Sequence, residues 1–532
     1  MGITKVELTK KAAPSTSGIQ RQSPQCTEQG FNLAASYSAG SVLSPRGRYF
    51  IKTFGCQMNL HDSERIAGLL EDVGYVGAAS EEEADLVVFN TCCVRENADE
   101  RLYGNIGRLK ARKAKEPYFR IAVGGCLAQK DREALIEKTG SIDVVFGTHN
   151  IHRVPELLEV REKTGQPVCE IWEEPSDGIF ATDLPQRRKN RYSAWIVISV
   201  GCDNTCTFCI VPYVRGPERS RPPEEIVDEV KRLVEDGVVE ITLLGQNVNS
   251  YGRDLKLNGH KPLFAHLLYQ LQEIKGLKRI RFTSPHPKDL RTETIEAMAE
   301  CSKVMPHLHL PLQSGSNRIL RAMHRGYTAE KYLERLDLAR QAIDDLAVTT
   351  DIIVGFPGET DEDFEATLDV CKRAKYEGAY MFLFSPRPGT PAAKLPYDIP
   401  QHALQERFSR LVELMENLSL EAHRNRVGRI EEVLVEGKES QDSRRWRGRT
   451  AQNKVVLFGE SSDFRTTNSG ENFSDHAEHL GGNIGPGQFV KVKVTAAGPH
   501  HLEGEVIGSW VQGGSASLPA SDEGVLGGRP RR

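Results

Sequence analysis

From Arg48 onward, short runs rich in β-branched and aromatic residues alternate with amphipathic stretches. RYFIKTF leads into DSERIAGLLEDVG, which places Ile66, Leu69, Leu70 and Val73 on one helical face; DLVVFN, a helical stretch to about Lys115, FRIAVGG, a further helix and DVVFG follow. Strands and helices in this alternation predict βαβ units and therefore a parallel sheet. The pattern restarts at AWIVISV and runs through VEITLLG, KRIRFTS, MPHLHLPL, VTTDIIVG and AYMFLFS, with helical segments between them. Six such units predict a partial (β/α)6 barrel, because the closed form needs eight. After Val427 the helical period disappears. IEEVLVEG, RWRGRT, NKVVLF, FVKVKV and HLEGEVIG are short strands between Gly-rich turns, predicting a small β-barrel. The fold class is α/β, with a parallel N-terminal domain, a partial barrel and a C-terminal all-β domain.

The polar segments set the boundaries. Residues 1–47, rich in Ser, Gln, Thr, Pro and Gly, bury too little apolar surface to offset their ordering entropy and are expected to form a disordered extension. The expected divisions are then 48–164 for the first α/β domain, 165–187 for a linker, 188–424 for the barrel, 427–510 for the β-barrel and 511–532 for a disordered tail. A polar stretch, Glu460 to Gly485, interrupts the last domain. No run approaches the roughly 18 apolar residues of a membrane span, and Met1 to Arg48 holds no signal-peptide core. A cytoplasmic, monomeric protein is expected. The net charge of −4 excludes a wholesale basic protein, so any nucleic-acid contact must be local.

The 11 cysteines are too sparse for a small secreted disulfide framework and point to metal or catalysis. GCDNTCTFC puts Cys202, Cys206 and Cys209 in a CxxxCxxC loop after the first barrel strand, where barrel enzymes carry their chemistry. Three thiolates without a nearby fourth ligand suit an iron–sulfur cluster with one open iron; zinc with a remote fourth ligand and buried structural thiols are the alternatives. Cys56, Cys92 and Cys126 each follow a strand of the first domain, and in a parallel sheet those ends share one edge. Convergence on a second cluster is expected, with Gly55, Gly124 and Gly125 allowing the tight turns; small buried strand-end residues are the alternative. Cys26 in the extension is expected to be incidental, and Cys169, Cys301 and Cys371 to be core residues.

CxxxCxxC after the first strand of a partial barrel resembles the radical S-adenosylmethionine superfamily. The further strings TFGCQMNLHDSE, NTCCVRENA, GGCLAQ, LLGQNVNSYG, FTSPHP, HLPLQSGS, DIIVGFPGET and SPRPGTPAA, with a TRAM-type last domain, resemble the methylthiotransferases over about Arg48 to Ser509. GCQMN and TSPHP are similar to the branch that converts isopentenyl (dimethylallyl) adenosine, next to the tRNA anticodon, to its 2-methylthio derivative; other branches modify a ribosomal-protein aspartate or threonylcarbamoyl adenosine. The resemblance implies two 4Fe-4S clusters, an auxiliary one on Cys56, Cys92 and Cys126 and a radical-generating one on Cys202, Cys206 and Cys209. It also implies two equivalents of S-adenosylmethionine, as methyl donor and radical source, with tRNA as substrate and an external electron donor and sulfur source. An aromatic C–H bond has no acidic proton for a general base to remove, so radical chemistry fits the task.

Further site residues follow from position. Gly245, Gln246 and Asn247 end the second barrel strand and Ser284 the third, where they are expected to grip the cofactor. Asp351, Gly355 and Glu359 fit the stretch that approaches the adenine in the superfamily, and His309 and Gln313 are expected to line the substrate cavity, unless His309 is an interior strand histidine. Cys93 is read as a bystander, since adjacent thiols do not easily ligate one cluster. Arg444, Arg445, Arg447, Arg449 and Lys454, with Trp446 among them, are expected to meet RNA through phosphate contact and stacking, or else to be solvated surface; Arg187, Arg188, Lys189 and Arg191 would extend the track. A rival reading makes the chain a non-enzymatic RNA binder with structural metal.

Overall fold

The apolar runs of the first domain pair as their spacing requires, in parallel and with both faces covered. The computed structural model describes residues 4–5, 46–93, 97–174, 184–257, 261–439, 442, 444–460 and 484–510, and divides into units at 1–415 and 416–532. The first domain contributes β1 (Thr4–Lys5), β2 (Gly47–Thr53), α1 (Gln57–Asp72), β3 (Tyr75–Gly77), β4 (Leu86–Thr91), α2 (Asn97–Lys115), β5 (Arg120–Gly125), α3 (Cys126–Asp131), α4 (Ala134–Thr139), β6 (Val144–Phe146), α5 (Val154–Thr164) and β7 (Val168–Glu170). Its sheet is parallel throughout, in the order β1-β7-β6-β5-β4-β2-β3. Alternate residues of β4 feed two cores. Val87 and Phe89 pack with Leu102 and Ile106 of α2, whereas Leu86 and Val88 pack with Ile66 and Leu70 of α1 and Leu157 of α5. That double covering explains why β4 is apolar along most of its length instead of alternating.

Two boundaries shift. Val168 to Glu170, within the expected 165–187 linker, form β7 and pair with β6; three residues are too few to display a period. Thr4 and Lys5, within the expected disordered extension, pair with β7, and the extension's residues 6–45 lie outside the described residues.

The second domain holds β8 (Ser193–Val197), β9 (Ser199–Val200), α6 (Val211–Arg215), β10 (Arg219–Ser220), α7 (Pro223–Glu235), β11 (Glu240–Leu244), α8 (Phe264–Gln272), β12 (Arg279–Phe282), α9 (Thr292–Glu300), β13 (His307–His309), α10 (Asn317–Ala322), α11 (Ala329–Ala342), β14 (Ala347–Val354), α12 (Asp361–Ala374), β15 (Gly378–Leu383) and α13 (Gln401–Arg424). The six expected strands form two parallel halves, β8-β11-β12 and β13-β14-β15. A bridge between Ile280 and Val304 joins them, with Ile280 N donating to Lys303 O at 2.7 Å. Within β14, Val348, Thr350, Ile352 and Val354 are buried while Thr349, Asp351 and Ile353 keep partial exposure, so helices cover one face and leave the other open. The sequence pattern had no place for the antiparallel β9-β10 ribbon, which is two residues long on each side.

The unit division falls inside α13. Its last turns belong with the following strands, because Ser419 Oγ donates to Pro499 O at 2.7 Å and His423 Nδ1 lies 2.6 Å from Gly498 O. The strands β16 (Ile430–Lys438), β17 (Trp446–Arg449), β18 (Val455–Glu460), β19 (Phe489–Ala497) and β20 (Leu502–Trp510) close into a barrel in the order β16-β17-β18-β20-β19. Val433, Val435, Val456, Phe458, Val490, Val492 and Leu502 fill it. Most of the polar insertion, residues 461–483, and the tail 511–532 lie outside the described residues.

Candidate active site

The first thiol set is built by adjacent strands. Cys56 follows β2, Cys92 follows β4 and Cys126 opens α3 directly after β5, and these three strands are neighbours in the order β5-β4-β2. Two glycines make the approach possible. A Cβ on Gly55 would stand 2.4 Å from the Cys92 Cβ and 3.1 Å from its Sγ, and Gly125, at φ +89°, would place a Cβ 2.3 Å from the Thr91 carbonyl oxygen. Beneath them Asn59 Nδ2 donates to Thr91 O at 3.0 Å, and Asn90 Nδ2 donates to Asn59 O at 2.8 Å, stitching the Cys56 turn to the Cys92 strand end.

Two residues outside the expected set complete this site. Cys93, read as a bystander, is buried in the same core cluster as Cys126, close enough for each thiol to influence the other's ionisation. The Cys93 thiol is the largest influence lowering the Cys126 pKa; burial opposes it and the Arg215 guanidinium reinforces it. Arg215, from α6, is buried beside Cys126 and Cys56, and its Nη2 donates to Asp62 Oδ2 at 2.9 Å. No spacing rule marks Arg215; it lies six residues after Cys209 in IVPYVRG and reaches the first domain only through the fold.

The second set occupies one loop. Gly201, at φ +78°, turns the chain where a Cβ would lie 2.0 Å from Pro217 O, and Cys202 N donates to Gly216 O at 3.1 Å. The Cys202 sulfur accepts from Asn204 N and Nδ2, each at 3.4 Å, while Arg325 Nη1 reaches the Cys206 sulfur at 3.2 Å. Thr207 N donates to Met323 O at 3.1 Å and Ala392 N to Thr207 O at 2.9 Å, which clamps the loop between two later barrel segments. Burial raises the Cys202 pKa and pushes Cys209 up to about 12, so these thiols keep their protons until a metal takes the sulfur.

The donor chemistry fits iron–sulfur clusters. None of the cysteines among the described residues forms a disulfide. Among the described residues no three such side chains close on one point as around a single ion, and a four-iron cube spreads its ligating sulfurs more widely than one ion does.

The remaining expected residues separate into open and engaged ones. Ser284 and Gln313 adopt positive φ, 61° and 69°, at strand ends, a costly conformation for side-chain-bearing residues that clusters at functional sites. Gln313 is fixed there by Gln313 N to Asp351 O at 2.8 Å and Ile353 N to Gln313 O at 2.9 Å. Gly245 leaves room for Ser199, whose Oγ would stand 2.8 Å from a Cβ, and Gln246 beside it is half-buried. Asn247 is buried, donating to Asp289 Oδ2 at 2.7 Å and accepting from His286 N at 3.3 Å. Glu359 is turned inward, where it accepts from Gly355 N at 2.8 Å and pairs with Arg407 at 3.0 Å. His309 bridges Thr349 Oγ1 (3.0 Å) and Asp351 Oδ1 (3.4 Å). Glu218, which the sequence reading missed, accepts from Ser250 Oγ at 2.7 Å and 2.6 Å, and its amide holds Asp203 of the cluster loop.

The basic set of the β-barrel is more engaged than its sequence suggests. Arg444 pairs with Asp442, Arg445 with Glu503, and Arg447 and Arg449 share Glu436. Lys438 Nζ lies 3.7 Å over the half-buried Trp446 ring, and Lys454 is buried, so Lys454 does not stand with the arginines at the surface. In the other stretch, Arg187 pairs with Glu71 and Arg188 with Asp236.

Three family models match: the Radical SAM superfamily over 196–371, Uncharacterized protein family UPF0004 over 48–147 and the TRAM domain over 424–507. The chain is 52% identical over 468 residues to a protein of Acidothermus cellulolyticus named tRNA-2-methylthio-N(6)-dimethylallyladenosine synthase, covering 87% of this chain and 89% of that one. Proteins of the same name from Mycobacteroides abscessus (50% over 460 residues, 85% and 87% covered) and Mycobacterium tuberculosis strain H37Ra (50% over 507 residues, 93% and 89% covered) are comparably similar.

Proposed function

The chain belongs to the tRNA-2-methylthio-N(6)-dimethylallyladenosine synthase family, and from that premise we propose that it works through two clusters held on its two thiol sets. It is a radical S-adenosylmethionine methylthiotransferase acting on C2 of dimethylallyl adenosine in tRNA. The reported relatives carry the dimethylallyladenosine name, which leaves the ribosomal-protein branch and the metal-stabilised RNA binder without support. The convergence of Cys56, Cys92 and Cys126 at neighbouring strand ends, joined through α6 to the CxxxCxxC loop, is the observation that carries the two-cluster reading.

When bound, the clusters and S-adenosylmethionine supply the sulfur, the methyl group and the hydrogen-abstracting radical that together turn adenine C2–H into C2–SCH3. The protein's own residues hold and orient. Asn204 and Arg325 direct donors at the Cys202 and Cys206 sulfurs, which orients those sulfurs as ligands. Arg215 sets a buried positive charge beside Cys126 and Cys56, which offsets the charge of thiolates there. Gly245, Gln246, Ser284 and Gln313 at the strand ends form the cofactor and substrate rim, with Asp351 behind them. The chain acts as a cytoplasmic monomer, drawing electrons and sulfur from outside donors. Incubating the anaerobically reconstituted chain with dimethylallyl-tRNA, S-adenosylmethionine, reductant and sulfide, then digesting the RNA, tests this. The 2-methylthio nucleoside is the expected product, and unchanged dimethylallyl adenosine with reductant consumed would contradict the assignment.

A further inference from the structure

Arg215, Arg221, Arg407 and Arg426 are buried, and each pairs with a carboxylate, that of Asp62, Glu229, Glu359 and Glu431 in turn. Arg325 is equally buried, at 6% exposure, yet among the described residues no carboxylate stands within ion-pair distance of it. Neutral groups hold its guanidinium instead. Nε donates to Tyr327 Oη at 3.2 Å, and Tyr327 Oη donates onward to Leu312 O at 2.8 Å. The guanidinium carbon also lies 5.5 Å from the centre of the Tyr327 ring. The end left over, Nη1, reaches the Cys206 sulfur at 3.2 Å. The cluster loop is docked on the segment that carries this arginine: Thr207 Oγ1 donates to Ala322 O at 2.9 Å, and the Thr205 hydroxyl lies 2.7 Å from His324 Nδ1. Both threonines flank Cys206, so the separation of guanidinium and sulfur is fixed from either side.

We propose that Arg325 is the fixed counter-charge of the cluster held by Cys202, Cys206 and Cys209, raising its reduction potential so that an external one-electron donor reduces it. This rests on the function proposed above and adds the residue that sets its electron uptake. A buried charge without a partner is strongly destabilising, so a guanidinium left without a carboxylate marks the place where an anion arrives. A four-iron cluster with thiolate ligands is such an anion, and it gains one further negative charge on reduction. A cation fixed at a ligand sulfur therefore favours the reduced form over the oxidised one, since the attraction scales with the product of the charges. Hydrogen bonds to the sulfurs and the surrounding charge are among the factors that set such potentials. In this step the external donor loses one electron and the cluster gains it, with no bond formed or broken. Salt screens exposed cations, whereas a buried one such as Arg325 keeps its effect at physiological ionic strength.

The test is a redox titration of the full reconstituted chain monitored by electron paramagnetic resonance. It follows the reduced-cluster signal that added S-adenosylmethionine alters, which distinguishes the loop cluster from the auxiliary one. Poised at the wild-type midpoint, Arg325→Gln is expected to lower the ratio of reduced to oxidised loop cluster about tenfold, a shift of about 59 mV to more negative potential for a one-electron couple. Arg325→Lys, which keeps the charge, should restore most of the wild-type ratio. Arg325→Met, which fills the same space without charge, should match Arg325→Gln and stands in for it if the glutamine variant loses iron. Loss of about four irons from both neutral variants, with the lysine variant fully loaded, would also uphold the counter-charge, because the cluster then fails only where charge is missing. An unchanged ratio in the neutral variants, a lysine variant that shifts as far as they do, or one that loses iron along with them would overturn the assignment. Wild type separates the two claims: if no signal responds to S-adenosylmethionine the function itself fails, whereas a responding signal with unshifted variants defeats only the role of Arg325.

Discussion

Arg215 Nη2 donates to Asp62 Oδ2 at 2.9 Å, joining residues 153 positions apart and tying the helix after Cys56 to the helix after the CxxxCxxC loop. Both side chains are buried, at 6% and 5% exposure, so neither charge has water to fall back on. Removing one partner strands the other. Arg215→Gln and Asp62→Asn are each expected to destabilise the cluster-free chain by about 3–5 kcal/mol, and the double variant by clearly less than the sum. Urea unfolding of the four proteins measures this; strict additivity would show that the pair does not couple the two domains.

Gly125 presents a sharper steric case. At φ +89° and with Thr91 O 2.3 Å from an added Cβ, Gly125→Ala is expected to misplace the start of α3 and with it Cys126. Iron should fall from about eight to about four per chain in the reconstituted protein, the remaining cluster being that of the CxxxCxxC loop. Full iron content in this variant would show that the auxiliary set tolerates the shift.

Cys93 and Cys126 share one core cluster, yet their places on the strands differ. Cys126 follows a strand end equivalent to those before Cys56 and Cys92, while Cys93 is simply the next residue after Cys92. Cys93→Ala should keep about eight irons and Cys126→Ala about four, read by iron analysis alongside the previous variant. The reverse pattern would make Cys93 the ligand.

Glu218 provides a pH signature. Burial raises its carboxyl from the ordinary 4.5 to about 7, with Asp203 and Asp254 adding to the shift against the Ser250 hydrogen bonds. A raised carboxyl binds its proton more tightly in the folded chain, so its stabilising contribution is complete below about 4.5 and fades as pH rises through about 7. Wild type should therefore lose stability relative to Glu218→Gln between pH 5 and 8, by on the order of 1–3 kcal/mol. A difference in thermal midpoints that stays flat across that range would refute the shift.

Much of the architecture was written in period and spacing. The strands β2, β4 and β5, most of the barrel strands and most strands of the closed barrel coincide with apolar runs long enough to show alternation or continuous burial. Strands of two or three residues, such as β7 and β9, carry no period, and their pairing depends on neighbours already in place. The placement of the six cysteines, three after neighbouring strands and three on one loop, was legible because motif spacing and strand-end position are local properties. Arg215, Arg325 and the proximity of Cys93 to Cys126 were not, since each arises from segments brought together only by folding. The surroundings of the basic run from Arg444 to Lys454 were not legible either: a one-dimensional charge run does not show that Glu436, Glu503 and Asp442 lie across the strands or turn from it.

Iron and acid-labile sulfide, measured on the anaerobically reconstituted full chain and on two triple-alanine variants, test the central claim most directly. Wild type should hold about eight of each, and the variants lacking either Cys56, Cys92 and Cys126 or Cys202, Cys206 and Cys209 about four. Only the variant that keeps the second set should still cleave S-adenosylmethionine. Zinc in place of iron, or a triple variant with undiminished iron, would contradict the two-cluster account.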